Sequence, residues 1–273
     1  MEEIAFQGEQ GAFSEQAVFK HYGRDVTPVP CHDLSDVFQA VHDGDVDEGL
    51  VPVENAQAGT INKTYDLLQD YELYITGETY LEINHCLLAN EGSKLEDVKR
   101  VYSHPQALMQ CEEFLQELDV QQHPTQDTAG GARRVKDSGR KDEAAIASSI
   151  AAEEHDLVIL AEHIQTRNKN TTRFLSIGLE SSAVTENCKT SILFETRDIP
   201  AALYKCLGGF ATNGVNLTKL ESRPEREANW KYMFYLDFEG HREDPSVQRA
   251  LEELDHFTVS CDVISSYPKG ESI

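Results

Sequence analysis

Apolar and polar positions change period along the chain in a regular way. Short apolar runs such as Ile4-Ala5-Phe6 and Gly49-Leu50-Val51-Pro52-Val53 have strand length. Segments with apolar residues three and four apart, such as Val37, Phe38 and Val41, have helix period. Between them lie Gly-rich or polar turns, as at Gly8-Glu9-Gln10-Gly11-Ala12-Phe13 and at 54–60. Ser14 is read as the N-cap of a helix ending at Gly23, and Asp33 or Ser35 as the cap of the next. A third helix is expected over 61–71.

The same alternation resumes with a long strand over 80–90 and a strand over 100–102. Ser103-His104-Pro105 then opens a helix with Leu108, Cys111 and Leu115 on its apolar face, Pro105 suiting the first helical position. Thr125 to Thr128 opens a helix containing Ala132 and Val135, and strands at 144–147 and 157–160 bracket another. Strands alternating with helices predict α/β units with largely parallel sheets. Past Gly178, the polar stretch 181–187 reads as a linker. Beyond it the predicted order is strand 189–194, helix 200–213, strands 215–223 and 230–238, helix 245–254 and strand 257–263. That is βαββαβ, the ferredoxin-like arrangement.

Several junctions put small or polar residues where a strand meets a helix start, which suits an anionic ligand. Asn170-Thr171-Thr172-Arg173-Phe174 adds a guanidinium beside amide and hydroxyl groups at the mouth of a strand, a set suited to a carboxylate with a second oxygen nearby. The six cysteines (31, 86, 111, 188, 206, 261) are far apart with no C-x-x-C pair and read as reduced, buried hydrophobes. His85, His104, His155 and His163 stand singly, so neither a metal nor another cofactor is expected. No apolar run reaches membrane-spanning length, and a soluble, cytoplasmic protein with no membrane partner is expected. With 48 Asp plus Glu against 24 Lys plus Arg, the net charge is −24, which argues against nucleic acid as a partner. Such a surface also fits a halophilic, high-salt setting, where a Debye length of about 3 Å at 1 M relieves self-repulsion.

Taken together, Gly8-Glu9-Gln10-Gly11-Ala12-Phe13-Ser14, Pro52-Val53-Glu54-Asn55, Gly59, Ser103-His104-Pro105-Gln106-Ala107-Leu108 and Asn170 to Phe174 resemble the prephenate dehydratase family in order and spacing. Pro200-Ala201-Ala202-Leu203 and Glu221-Ser222-Arg223-Pro224 resemble its ACT regulatory domain. The resemblance spans essentially the whole chain. It implies a two-lobed, periplasmic-binding-protein-like catalytic domain over 1–180, with lobe one at 1–76 and 161–180 and lobe two at 77–160. A linker at 181–187 and an ACT domain over 188–273 follow. Met1 stands only a few residues before the first strand, so a monofunctional chain without a chorismate mutase segment is expected.

The implied reaction converts prephenate to phenylpyruvate with loss of water and carbon dioxide, inhibited by phenylalanine. Arg173 would hold a carboxylate, and Thr172, matching the family's catalytic threonine, would meet the departing hydroxyl. Because an alkyl hydroxyl is a very weak acid, Thr172 acts as an oriented donor, with the proton coming through water or a neighbour such as Glu54 or His104. Asn55 and the helix starts at Gly11 to Ser14 and Gly59-Thr60 supply further contacts, with Ser103, Asn170 and Phe174 beside them. Pro200, Ala202, Leu203, Asn216, Glu221, Ser222, Arg223 and Pro224 would form the effector site, at a subunit interface of a homodimer or homotetramer. Two departures stand out: Ala56 where the family has Ser, and Ala201 where it has Gly. Arogenate dehydratase and a non-catalytic binding protein are the competing readings.

Overall fold

Ile4, Ala5 and Phe6 have no exposed surface in the computed structural model, and they form the centre of β1 (Glu3–Gln7). The structure describes residues 1–166, 170–183, 185, 187–224 and 232–271. Gly8 and Gly11, at φ of 126° and 86°, turn the chain out of β1 into α1 (Phe13–Tyr22). The N-cap of α1 is Ala12, so Ser14 lies inside the first turn and not at the predicted cap. β2 (Thr27–Cys31) and β3 (Glu48–Asn55) flank β1 in parallel register, joined by α2 (Leu34–His42). Asp33 caps α2, and the Asp36 carboxylate accepts from its amide at 3.0 Å. The predicted turn after β3 is tighter than expected: β4 (Gly59–Thr60) folds back antiparallel on Glu54 and Asn55 before α3 (Asn62–Asp70).

The predicted long strand over 80–90 is two strands. β5 (Tyr74–Glu82) ends before Ile83, and β6 (Cys86–Ala89) starts after His85. Then come β7 (Arg100–Ser103), α4 (Pro105–Gln110), α5 (Glu112–Leu118), β8 (Gln121–Pro124), α6 (Thr128–Ser138), β9 (Glu143–Ala147), α7 (Ser149–Glu154) and β10 (Val158–Ala161). β11 (Thr171–Gly178) returns to the first sheet. The sheet orders are β2-β1-β3-β11-β5, with β4 on β3, and β10-β6-β9-β7-β8. Residues 83–85 are therefore a crossing between two sheets, and the return crossing runs beside it. Ile83 N donates to Asn170 O at 2.7 Å, and Ile164 N donates to His85 O at 3.1 Å. The second sheet is mixed and not largely parallel: β7 pairs in parallel with β8 and β9, whereas β6 is antiparallel to both β9 and β10.

Two compact units result, one from Met1–Glu72 with Thr79–Ile177, the other from Leu73–Glu78 with Gly178–Gly270. The first contains both sheets above. The second contains β12 (Cys188–Thr196), α8 (Ala202–Thr212), β13 (Leu217–Pro224), β14 (Tyr232–Glu239), α9 (Pro245–Asp255) and β15 (Thr258–Pro268). Its βαββαβ order and antiparallel sheet, β13-β14-β12-β15, are the ferredoxin-like arrangement expected from the sequence. Ile192, Phe194, Phe210, Leu236 and Phe238 fill its core. On the opposite face of β12, Lys189 and Ser191 are polar yet buried. Ser191 donates to Asp237 at 2.6 Å, and Lys189 meets Glu78 at 2.7 Å.

β15 runs five residues past its predicted end at 263. Trp230 and Lys231, the predicted start of β14, lie outside the described residues, as do Val184 and Glu186 of the linker. All six cysteines are free: 86, 111, 188 and 206 are buried, whereas 31 and 261 are half-buried. Burial pushes the Cys111 thiol up to about 12 and that of Cys86 to about 11, which leaves them protonated and inert. Among the described residues no helix is long and apolar enough to cross a membrane.

Candidate active site

Between the two sheets of the first unit lies a cavity of about 510 Å³. Its wall comes from the β1–α1 turn (Gly8, Ala12, Phe13, Ser14), the end of β3 (Pro52, Asn55), the starts of α4 and α6, the crossing residues Ile83, His85 and Asn170, and Thr172 and Phe174 of β11. This is the carboxyl-end crevice that α/β architecture offers a ligand.

One hydrogen-bonded chain crosses it. Asn55 Oδ1 accepts from the backbone amides of Gln57 (3.0 Å) and Ala58 (2.9 Å). Backbone amides only donate, so this fixes which end of the Asn55 carboxamide is oxygen. Its Nδ2 then donates twice, to Thr172 Oγ1 at 2.9 Å and to Asn170 Oδ1 at 2.8 Å. Asn170 Nδ2 donates to Gln110 Oε1 at 3.2 Å, and that oxygen also lies 2.8 Å from His85 Nε2. Every link has a defined direction. Thr172 Oγ1 is an acceptor in this chain, and among the described residues its own hydrogen has no acceptor.

The predicted site residues separate into two groups. Ser14, Asn55, His104, Asn170, Thr172 and Phe174 line the cavity together. Arg173 does not: Thr172 and Phe174 take the cavity-facing positions of β11, and the two-residue period turns Arg173 to the opposite face, where it is buried. The same period displaces Glu54, which sits opposite Thr60 in the β3–β4 register while its neighbour Asn55 reaches the cavity. Gly59 and Thr60 stand outside the lining, which Ala58 and Ile61 reach instead. Gly11 packs against α7, where an added Cβ would meet Ala151 Cα at 2.8 Å, and its carbonyl accepts from Ser148 Oγ at 2.6 Å. Ser103 is fully buried and donates to Ile146 O at 2.6 Å, a structural role.

Electrostatically the lining is unusual for an anion site. Among its described residues it has no Lys or Arg, and its carboxylates are Asp33 and Asp127. Positive potential comes from helix starts. Ala12 gives α1 no capping side chain, so its first-turn amides remain for a ligand or water. The Asp127 carboxylate is occupied by Gly130 N at 2.6 Å, and His104 Nδ1 accepts from Gln106 N at 3.2 Å. His32, Asp33 and Asp36 bring possible ligand atoms within 4.8 Å of one another, but all three are exposed and the two aspartates form the α2 cap.

Two residues of the chain escaped sequence reasoning. Gln110 lies four positions after Gln106 in the Ser103 motif, hence on the same helix face, and that spacing could have found it. His85, a lone histidine in an apolar run, has no such signal. In the second unit, Pro200, Ala202 and Leu203 stand at the start of α8, directly after β12. Asn216 precedes β13, which carries Glu221, Ser222, Arg223 and Pro224 on the sheet edge, with β14 between β13 and β12. Glu221 lies 3.8 Å from Lys219, and Asn216 donates to Glu239 at 3.1 Å. The side chain of Pro224 lies outside the described residues.

Residues 4–182 match the family described as prephenate dehydratase. A bifunctional chorismate mutase/prephenate dehydratase of Stutzerimonas stutzeri is 40% identical over 98% of this chain and 73% of its own. Arogenate dehydratase/prephenate dehydratase 2 of Arabidopsis thaliana is 41% identical over 97% of this chain and 72% of its own. Among solved structures, a prephenate dehydratase of Arthrobacter aurescens in complex with L-Phe superposes with a TM-score of 0.88 at 32% identity, covering 97% of this chain and 89% of that one. GqqA, described as a novel type of quorum quenching acylase, superposes at 0.91 with 37% identity and 98% coverage of both chains.

Proposed function

We infer the chemistry of this cavity from one premise: the chain belongs to the prephenate dehydratase family. It is a carbon–oxygen lyase that converts prephenate to phenylpyruvate, losing water and carbon dioxide, in phenylalanine biosynthesis. The reaction makes an aromatic ring, so the driving force is large. What remains for the protein is to hold a dianion and help the ring hydroxyl depart. Thr172 donates its hydrogen bond to that hydroxyl, and Asn55 supports it by filling an acceptor position on Thr172 Oγ1. The unspent Thr172 hydrogen, in a cavity whose other links all run in one direction, is the observation that carries the reading.

The carboxylates are held by the uncapped start of α1 and by Ser14, with the rings of Phe13 and Phe174 against the substrate ring. Arg173 acts from behind the strand, supporting β11 without touching substrate. Glu54 likewise contributes through the position of Asn55, and His104 is the titratable group nearest the role of proton donor through water. Thr172 receives an amide hydrogen from Asn55 and is not partnered by a base among the described residues, so it is arranged as a hydrogen-bond donor and not as an activated nucleophile.

Phenylalanine inhibits through the second unit, an ACT domain. Its edge strand β13 suits side-by-side pairing with a second copy, which would place the α8 start and β13 of two chains at one interface in a homodimer or homotetramer. Ultraviolet detection of phenylpyruvate tests both parts. Prephenate should be turned over, phenylalanine should suppress the turnover, and arogenate run in parallel should be the poorer substrate. Absence of phenylpyruvate would leave a binding protein, and faster turnover of arogenate would reassign the substrate.

A further inference from the structure

His85 stands at the far end of the hydrogen-bonded chain, and nothing in the reaction as described uses it. Its residue is 2% exposed, and it lies in the crossing between β5 and β6 with the backbone held on both sides. His85 N donates to Gln165 Oε1 at 3.0 Å, and His85 O accepts from Ile164 N. The ring meets Phe13 edge to face, with centroids 5.3 Å apart and an interplanar angle of 85°. A ring held at its backbone and face has few orientations left. The one it takes puts Nε2 2.8 Å from Gln110 Oε1.

The protonation of that ring follows from the other end of the chain. Asn55 is fixed by two backbone donors, which fixes Asn170 and in turn presents Gln110 Oε1 to His85. Gln110 Oε1 can only accept, so Nε2 carries a hydrogen. Nδ1 is buried and has no hydrogen-bond partner among the described residues. A proton there would be a buried donor left unsatisfied, so the ring is neutral with its hydrogen on Nε2. Burial also lowers the pKa of this imidazole, with the Gln110 contact opposing it.

We propose that His85 is a positioning residue for the dehydration: its Nε2 hydrogen holds the Gln110 carboxamide oxygen inward, which keeps Asn170 and Asn55 oriented so that the Thr172 hydrogen faces substrate. Without it, Gln110 and Asn170 are held from the Asn55 end alone, and the cost of turning their amides over falls. A turned Asn170 would present Nδ2 to Asn55 Nδ2, two donors face to face, and the Asn55–Thr172 link would loosen. The chain conducts no proton. It fixes directions.

This inference rests on the dehydratase reading of the cavity, and two measurements keep them apart. Nitrogen-15 spectra of the imidazole need no substrate: a neutral His85 with its hydrogen on Nε2 is expected across neutral pH, and an Nδ1–H tautomer or a charged ring would overturn the proposal whatever the activity. In steady-state assays with prephenate, His85→Phe keeps the edge-to-face packing and loses the donor. It should lower kcat about 10- to 100-fold with KM within about twofold. His85→Gln, whose Nε2 can stand in the place of the ring Nε2, should restore kcat to within about threefold of wild type. Asparagine falls short of that position, so His85→Asn should behave like the Phe variant and serves in its place should Phe not fold. Equal kcat in the Gln and Asn variants, or a change in KM alone, would refute positioning. Wild type without turnover would refute the dehydratase reading and leave the tautomer result to decide this one.

Discussion

Replacing Asn55 by Asp changes one NH2 into an oxygen at constant shape, so it separates direction from packing. The introduced carboxylate would keep both backbone contacts, at 3.0 Å from Gln57 N and 2.9 Å from Ala58 N. Its second oxygen would face Thr172 Oγ1 and Asn170 Oδ1, both now acceptors opposite an acceptor. Asn170 can turn over, followed by Gln110, but His85 would then have to move its hydrogen to the buried Nδ1, which has no partner among the described residues, at a cost of about 1–3 kcal/mol. Thr172 has a single hydrogen. It would turn toward the carboxylate, and the donor meant for the leaving hydroxyl would be consumed. Removing one oriented donor from a developing charge costs about 2.7–4 kcal/mol, or about 100- to 1000-fold in kcat. Phenylpyruvate formation gives kcat, and thermal unfolding should show a Tm within a few degrees of wild type. Asn55→Ala, by contrast, loses four hydrogen bonds and should be destabilised by about 2–4 kcal/mol, mixing two effects. A kcat for Asn55→Asp within about fivefold of wild type would refute the directional account of the site.

The fold carries further tests. Lys189 and Glu78 are buried at 5% and 0% side-chain exposure and lie 2.7 Å apart, so Lys189→Met takes a buried cation away from the Glu78 carboxylate while Gly270 N still donates to it at 3.1 Å. It should cost about 3–5 kcal/mol in denaturant unfolding, and a loss under about 1 kcal/mol would argue against a buried pair. Ala201 occupies left-handed space at φ 60° and ψ 29°, so Ala201→Gly should stabilise by about 0.5–1 kcal/mol, with a lower Tm counting against that backbone. Glu15 is buried, and desolvation raises its pKa despite the Gly11 amide at 2.6 Å. The folded carboxyl therefore keeps its proton to higher pH than the unfolded one, so its contribution is fully present below the unfolded value of about 4.3 and is lost as pH rises through the folded one. Glu15→Gln keeps the acceptor for Gly11 and should be the more stable form at pH 7; a lower Tm there would refute the assignment. Finally, a dianion approaching a chain of net charge −24 is repelled at long range. Raising KCl from about 0.01 to 0.15 M shortens the Debye length from about 30 to 8 Å and should raise kcat/KM, whereas a falling profile would point to local positive charge at the cavity.

What the sequence disclosed follows the range over which its signals act. Most local signals held, the Ser14 cap excepted: Gly23 ends α1, Asp127 caps α6 through Gly130, and the βαββαβ order beyond residue 187 is the one observed. Signals that depend on which sheet a strand joins did not. The apolar run over 80–90 has no local mark dividing it, because the break at Ile83–His85 exists only where β5 and β6 part for different sheets. The site shows the same division. Thr172 and Asn55 could be named from motifs, whereas the side to which each motif residue turns is set by strand register. Adjacent positions in a strand face opposite ways, so Thr172 in the cavity forces Arg173 out of it. A motif read as a string places both in the site; a motif read as a strand can place only one. The consequence is chemical: on the function proposed above, a dianion in the cavity would meet uncapped helix amides and hydroxyls, with no guanidinium among the described lining residues. Amides cannot follow a moving charge as a long cation can. Their value lies in staying where the fold sets them, which is also what the Asn55 to His85 chain does for the Thr172 hydrogen.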